Sequence, residues 1–125
     1  EIVRVARPPH KLGLPHTHYR VGASPEEFLA LVRDAEMVLT TSFHGTAFAV
    51  NYGKPVFTVV EDRNANDSRQ VSLMHNLGLG SQILSIKDAM PDRNRFIYDE
   101  KTEQERLETL RQSSMNYLKT ALKNE

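Results

Sequence analysis

The fold of this chain is decided by residues 37–60, which have the sequence MVLTTSFHGTAFAVNYGKPVFTVV. Residues 36–41 are short and mostly apolar, and this pattern predicts a strand. Residues 56–60 are a continuous β-branched and aromatic run, typical of a strand that is buried on both faces of a parallel sheet. We therefore expect these two strands to be parallel neighbours in one sheet, joined by the segment between them.

The connecting segment is expected to be a turn followed by a short helix. Residues 42–45, Ser-Phe-His-Gly, predict the turn, and residues 46–52 predict a short buried helix. Gly53 stands where a left-handed residue ends a helix, and Pro55 just beyond it cannot continue one. The central unit is therefore strand, turn, helix and strand.

Upstream of this unit the sequence predicts a strand, a loop and a helix. Residues 2–6 alternate apolar and charged side chains and predict the strand, whereas residues 10–21 are rich in Pro, Gly and His and predict the loop. Ser24 and Glu27 form a capping box around Pro25, which opens the helix. The apolar face of that helix consists of Phe28, Leu31, Val32 and Ala35.

Downstream we expect two more helices and another strand. Ser68 can cap a helix that ends at Gly78, and residues 82–86 predict the strand. A second capping box, Thr102 with Glu105, opens a final helix over about residues 102–123. The first of these helices carries Val71, Met74 and Leu77, and one stripe of the last is lined by Leu107, Leu110, Ser114, Tyr117 and Ala121. Strands alternating with helices predict an α/β fold, a Rossmann-like parallel sheet flanked by helices, with residues 1–125 forming one domain.

Composition argues against several classes of function. Sixteen Lys and Arg residues balance sixteen Asp and Glu residues, so no overall field favours nucleic acid as a partner. The absence of cysteine excludes disulfides, thiolate nucleophiles and cysteine-based zinc sites. No apolar run approaches the roughly 20 residues of a transmembrane helix, and no secretory leader opens the chain. We therefore expect a cytoplasmic protein without a transmembrane segment, with peripheral association at the inner membrane face as an option.

The turn at residues 42–45 lies where α/β proteins bind ligands, at the carboxyl end of a strand where the next helix begins. Backbone N–H groups at a helix start hold phosphate or carboxylate. The expected substrate-binding residues here are Ser42, Phe43, Gly45 and Thr46. His44 can exchange protons near neutral pH, which makes it the candidate catalytic acid or base, with both roles open. The structural alternative is that Ser42 only caps the helix and His44 packs against a loop.

Ser68 and Arg69 open the next helix and are further substrate-binding candidates. A cation at a helix start faces the positive end of the dipole, so a ligand-facing role competes with that of a solvated surface arginine. Three histidines, His10, His16 and His18, lack the spacing of zinc motifs and are expected to be loop residues, so no metal is predicted. These histidines, together with Lys11 and Arg20, could instead line a cleft for an anionic substrate, and so could Arg4 and Arg7.

Residues 40–49, TTSFHGTAFA, and residues 53–56, GKPV, resemble the carboxyl-terminal block of the polysaccharide pyruvyl transferase family. The family pattern there is an apolar strand, a polar pair, His-Gly, a small-residue helix, Gly-x-Pro and a second apolar strand. Similar flanking segments extend the resemblance over about residues 24–86, and they are residues 24–28, 35–37, 67–69 and 77–79.

The resemblance implies the carboxyl-terminal half of a two-domain, glycosyltransferase-B-like enzyme, and thus a fragment of a longer chain. It implies transfer of a pyruvyl group from phosphoenolpyruvate to two hydroxyls of a sugar, in a cell-surface polysaccharide or its lipid-linked precursor, giving a ketal without a cofactor. The family's histidine maps onto His44. Many members carry Arg where this chain has Ser42, so the phosphate contact would come from elsewhere, with Arg69 as the candidate. The amino-terminal domain of the family supplies the other wall of the cleft and a basic catalytic residue, so this chain alone is expected to be inactive.

Two other functions stay open. A nucleotide-sugar-dependent glycosyltransferase of the same architecture would use an acidic residue to hold the ribose hydroxyls, and Glu61 or Asp62 could do so. A non-catalytic domain that binds a glycan or a partner would instead bury His44 and have no cleft around it.

Overall fold

The structure, a computed structural model, describes residues 1–6, 15–62, 68–89, 94 and 99–123. Within these ranges short parallel sheets are flanked by helices. In chain order the elements are β1 (Ile2–Ala6), β2 (Thr17–Val21), α1 (Pro25–Asp34), β3 (Val38–Thr40), α2 (Phe43–Asn51), β4 (Val56–Val60), α3 (Arg69–Asn76), a 3₁₀ turn (Gly80–Gln82), β5 (Ile83–Ser85) and α4 (Glu100–Lys123).

The larger sheet has three parallel strands in the order β3–β4–β5. Val38 pairs with Val56 and Thr40 with Thr58, so the two strands predicted to be parallel neighbours are confirmed as such. The outer strands are shorter than the predicted 36–41 and 82–86, because pairing with β4 stops at Thr40 and at Ser85. Each strand therefore ends near the same edge of the sheet.

The core lies between this sheet and the faces of α1 to α4 that cover it. The buried apolar side chains are Val32, Ala49, Val50, Val56, Phe57, Val71, Met74, Leu77, Leu79, Ile83 and Leu107. Burying one side chain of this size contributes about 1.5–3 kcal/mol, so these positions supply much of the stability that holds the helix starts in place. Most of them were predicted from the spacing of apolar residues along α1, α3 and β4.

The first two strands form a separate parallel pair, so the prediction of one sheet is wrong. Ile2 pairs with Thr17 and Ala6 with Val21. The loop predicted over residues 10–21 is corrected at its end, where β2 begins at Thr17; its start lies outside the described residues. Thr, Tyr and Val at alternate positions of β2 suit an extended chain, and pairing with β1 satisfies the backbone groups.

Two of the four described α-helices begin where the sequence predicts, and the other two do not. The capping box at Ser24 is confirmed, with the Glu27 N–H donating to the Ser24 hydroxyl at 3.2 Å and the Ser24 N–H to the Glu27 carboxylate at 2.9 Å. Ser68 caps α3 as predicted. The α2 helix begins at Phe43 rather than Thr46, because Ser42 is already its N-cap.

The long helix α4 starts earlier than predicted and packs over only part of its length. Asp99, not Thr102, supports its start, since the Asp99 carboxylate accepts the Thr102 N–H at 3.3 Å and the Thr102 hydroxyl at 2.6 Å. Leu107 is buried and Leu110 packs against the core, but Tyr117, in the predicted stripe, is 75% exposed. In the described part of the chain no helix is both long and apolar enough to cross a bilayer.

Candidate active site

The start of α2 is built around Ser42, which connects the end of β3 to the first helical turn. The Ser42 N–H donates to the Thr40 hydroxyl at 3.0 Å. The Ser42 hydroxyl accepts the Gly45 N–H at 3.4 Å, and the Ser42 carbonyl accepts the Thr46 N–H at 3.0 Å. The chain between β3 and α2 is therefore fixed by bonds on both sides of one residue.

These bonds narrow the predicted anion site to two amides. A helix start leaves several N–H groups without an intrahelical partner, but here those of Gly45 and Thr46 already donate to Ser42. The N–H groups of Phe43 and His44 have no partner among the described residues. Of the four amides from Phe43 to Thr46 at which an anion is expected, the N-cap residue thus binds two, and anion binding at this turn stays a prediction.

Gly45 and Thr46 lie in the interior of the fold rather than on its surface. A methyl group at Gly45 would stand 2.5 Å from the Thr40 hydroxyl oxygen, so only glycine lets α2 approach β3 this closely. Thr46 is fully buried, and its hydroxyl donates to the Ser42 carbonyl at 3.0 Å. These contacts hold the start of α2 against β3. The substrate contacts expected of the two residues stay predictions.

Phe43, His44 and Arg69 lie together at the surface of the turn. The rings of Phe43 and His44 are 5.7 Å apart at an interplanar angle of 74°. The guanidinium carbon of Arg69 lies 4.9 Å from the centre of the Phe43 ring, a cation–π contact. His44 and Arg69 are exposed and Phe43 is partly buried. The imidazole of His44 and the guanidinium of Arg69 thus contact the same phenyl group.

Ser68 lies beside this group as the N-cap of α3. Its hydroxyl accepts the Val71 N–H at 3.5 Å and its carbonyl accepts the Ser72 N–H at 3.0 Å. Since β3 and β4 are parallel, α2 and α3 both begin beyond the carboxyl ends of neighbouring strands. The structure therefore brings together the candidate residues that the sequence placed 25 positions apart, at His44 and Arg69.

Two polar residues beneath the turn were not predicted. Thr58, in the middle of β4, is fully buried. Its hydroxyl lies 3.3 Å from that of Thr46, and it accepts the Gln70 side-chain amide at 3.2 Å. The sequence signals that could have identified them are a threonine inside an otherwise apolar strand and a glutamine directly after the predicted Arg69.

The remaining candidates lie elsewhere or outside the described ranges. His16 is exposed with a φ of 57°, and His18 is exposed on β2 with its ring 3.5 Å from the Glu1 carboxylate. Arg4 lies over the Tyr19 ring at 5.9 Å, and Arg20 is exposed on β2. The predicted candidates Arg7, His10 and Lys11 fall in a range that the structure does not describe. In the described part of the chain no three His, Asp or Glu side chains form a group that could hold a metal ion.

The acidic pair considered for the glycosyltransferase alternative follows β4 directly. Glu61 and Asp62 are both exposed. The Glu61 carbonyl accepts the hydroxyl of Ser85 at 3.0 Å, which ties the end of β4 to β5. Both carboxylates can reach solvent at the carboxyl edge of the sheet.

The arrangement defines the class of protein: an α/β domain whose polar groups gather at the carboxyl edge of parallel strands, where such domains bind their ligands. Residues 4–63, 60 of the 125, match the model of the polysaccharide pyruvyl transferase family, which confirms the predicted resemblance to that family. The match begins before the predicted range of about residues 24–86 and ends inside it. The match includes residues 42–46 and stops before Ser68 and Arg69. At the level of the family it supports a role in pyruvyl transfer within polysaccharide biosynthesis. No curated protein and no solved structure matches the chain.

Proposed function

We propose that this chain contributes the donor-binding part of a polysaccharide pyruvyl transferase that uses phosphoenolpyruvate and a sugar acceptor. The observation that carries the proposal is the position of His44 at the start of α2, inside the segment that matches the family. Arg69, which lies outside that segment, contacts the same phenyl ring as His44. The family match and the contacts around Phe43 thus both support a site at the start of α2.

The phosphate of the donor is expected at the open start of α2. The amides of Phe43 and His44 can donate to phosphate oxygens, and the helix dipole adds to their partial positive charge. The Arg69 guanidinium supplies a full positive charge nearby, in place of the arginine that many family members carry at the position of Ser42. A guanidinium also suits phosphate because its N–H groups donate in pairs.

His44 is proposed to move the protons that the reaction requires. Addition of one sugar hydroxyl to the central carbon of phosphoenolpyruvate removes a proton from that hydroxyl and adds one to the methylene carbon. A second hydroxyl then displaces inorganic phosphate, which closes the ketal. A positioned imidazole can serve as acid or base in either step, and its exposure at the turn leaves it accessible to substrate.

The acceptor side of the cleft is assigned to a further domain of the same protein in a glycosyltransferase-B-like arrangement. The acceptor is then a sugar or a lipid-linked oligosaccharide, and the reaction takes place in the cytoplasm or at the inner membrane face. The exposed turn and the exposed, partly apolar second half of α4 support this arrangement, since both offer surface for a second domain.

The nucleotide-sugar alternative is favoured by one observation, the exposed pair Glu61 and Asp62 at the end of β4. That pair could accept hydrogen bonds from ribose hydroxyls. It carries negative charge, which disfavours a carboxylate-bearing donor such as phosphoenolpyruvate at the same place. The two functions therefore predict different positions for their ligands.

Amide chemical shifts recorded during ligand titration distinguish these functions. Phosphoenolpyruvate should shift the amides of Phe43 and His44 and the side chain of Arg69, and Arg69→Ala should weaken that response. Arg33→Ala is the matched control, because Arg33 is an exposed arginine already bound by Asp34 at 2.7 Å. Uridine diphosphate with shifts centred on Glu61 would support the glycosyltransferase instead. Shifts scattered over the surface with either ligand would contradict both.

A further inference from the structure

One polar side chain is buried directly beneath the candidate site. Thr58 is 0% exposed and follows Val56 and Phe57, which are equally buried. It lies in the middle of β4, opposite Thr40 at the end of β3. A buried hydroxyl is costly unless it is hydrogen-bonded, so its partners show what it holds together.

Thr58 joins three segments of the chain. Its oxygen accepts the side-chain amide of Gln70 at 3.2 Å, lies 3.3 Å from the Thr46 hydroxyl, and lies 3.5 Å from the Thr40 carbonyl. The Thr46 hydroxyl is also 3.0 Å from the Ser42 carbonyl. A continuous chain of polar contacts therefore runs from the N-cap of α2 through β4 to the first turn of α3.

Gln70 is the residue through which this network reaches the surface. It directly follows Arg69, and its side chain points inward to Thr58 while that of Arg69 lies over Phe43. A fixed Gln70 side chain restricts how the first turn of α3 can rotate. Arg69 is the first residue of the same turn, so its position over the Phe43 ring depends on that rotation.

We propose that Thr58 and Gln70 are positioning residues that hold the Arg69 guanidinium in register with the His44 turn. The effect is indirect, because Thr58 is fully buried and the Gln70 side-chain amide donates to Thr58 rather than facing the turn. The position of Arg69 is inferred from the contacts of Thr58 with Thr46, Thr40 and Gln70. Its consequence for donor binding rests on the proposed function, in which Arg69 holds phosphate.

The geometric part is tested by the ring-current shift of the Arg69 side-chain protons, which lie over the Phe43 ring. Gln70→Met keeps the length of the side chain but removes the donor, and should abolish most of that shift while the amide resonances of β3 and β4 stay in place. Thr58→Val should have the same effect and Thr58→Ser should restore the native shift. Gln112→Met, a change of an exposed glutamine on α4, is the matched control and should change nothing. Should Gln70→Met not fold, Gln70→Asn, one methylene too short to reach Thr58, replaces it.

The functional part is tested by phosphoenolpyruvate binding in a double-mutant cycle. Arg69→Ala should raise Kd about tenfold, as expected for loss of one hydrogen bond to a charged group. Gln70→Met should raise Kd by a smaller factor, and adding it to Arg69→Ala should cause no further loss, because Gln70 acts through Arg69. A merely structural residue would give effects that multiply.

The outcomes separate the two claims. An unchanged Arg69 ring-current shift in both Gln70→Met and Thr58→Val would overturn the positioning role, whatever the ligand data show. Multiplying losses in the cycle would also overturn it. An altered shift together with unchanged Kd in Arg69→Ala would support the positioning role and contradict the proposed donor site.

Discussion

Replacing Gly45 by alanine tests whether the close approach of α2 to β3 builds the candidate site. The new methyl group would lie 2.5 Å from the Thr40 hydroxyl oxygen and 3.2 Å from the Thr40 Cβ. Ordinary contacts between heavy atoms are about 3.5–4.0 Å. Thr40 must therefore rotate, or α2 must move away from the strand.

The expected cost follows from these contacts. Overpacking of this kind costs about 1–3 kcal/mol. Rotation of Thr40 also removes the 3.0 Å bond from the Ser42 N–H, a loss of about 0.5–1.5 kcal/mol. Alanine has a higher helix propensity than glycine, which offsets up to about 1 kcal/mol of this loss of stability. We expect Gly45→Ala to lower the free energy of unfolding by about 0.5–3.5 kcal/mol.

Urea denaturation followed by circular dichroism measures this loss as a lower midpoint at an unchanged slope. Gly80→Ala is the matched control, because its new methyl meets only the exposed His75 ring, at 3.1 Å, and that ring can move. Thr40→Ala should reduce the penalty of Gly45→Ala, since the closest clashing atom is then gone. Equal stability of Gly45→Ala and Gly80→Ala would refute the packing argument.

Two further predictions concern α4. Leu107→Ala should lower the free energy of unfolding by about 2–5 kcal/mol, because Leu107 is buried in the core. Leu118→Ala should change it by less than about 0.5 kcal/mol, because Leu118 is 52% exposed. Equal losses for the two variants in urea denaturation would contradict this difference in packing along α4. Burial raises the pKa of the Glu103 carboxyl above its ordinary value of 4.5. The folded state then binds that proton more tightly, so its contribution to stability is largest below pH 4.5 and declines as the pH rises through the raised pKa. Glu103→Gln should therefore gain stability relative to the native chain as the pH rises across this window, and a difference that does not vary with pH would contradict the assignment.

Local patterns predicted the central unit because its signals lie within a few residues of each other. The apolar runs that became β3 and β4 flank a helix that ends at Gly53, whose φ of 67° requires the freedom of glycine. Ser24 and Ser68 were predicted as N-caps for the same reason, since a cap and the amide it accepts are three residues apart. The start of α2 was misplaced because Ser42 was assigned to a turn rather than to the cap itself.

Features that depend on distant partners were not predictable in this way. The β2 strand lies in a polar stretch, and its partner β1 is more than ten residues away in the sequence. The start of α4 was predicted from a capping box at Thr102, whereas the Asp99 carboxylate accepts both the N–H and the hydroxyl of Thr102.

In the candidate site, too, local features were predicted and contacts between distant residues were not. His44 was assigned from its position after a strand, and the structure brings Arg69 to the same phenyl ring. The contact between Thr58 and Gln70 forms between β4 and α3, two elements whose relative placement depends on the whole sheet. The continuous β-branched and aromatic run of residues 56–60 predicts that Thr58 is buried, but not which groups its hydroxyl contacts.

The central claim is tested most directly by the rate of pyruvyl transfer from phosphoenolpyruvate to a sugar acceptor, measured in the complete protein that carries this chain. His44→Ala should lower turnover by about 10²–10⁴ with the fold intact, the usual contribution of a positioned acid or base. His44→Gln should be nearly as slow, because it keeps a hydrogen bond but cannot exchange a proton near neutral pH. Arg69→Ala should instead raise mainly the KM for phosphoenolpyruvate. Turnover close to normal in both His44 variants would contradict the account, and the turn at the start of α2 would then be structural.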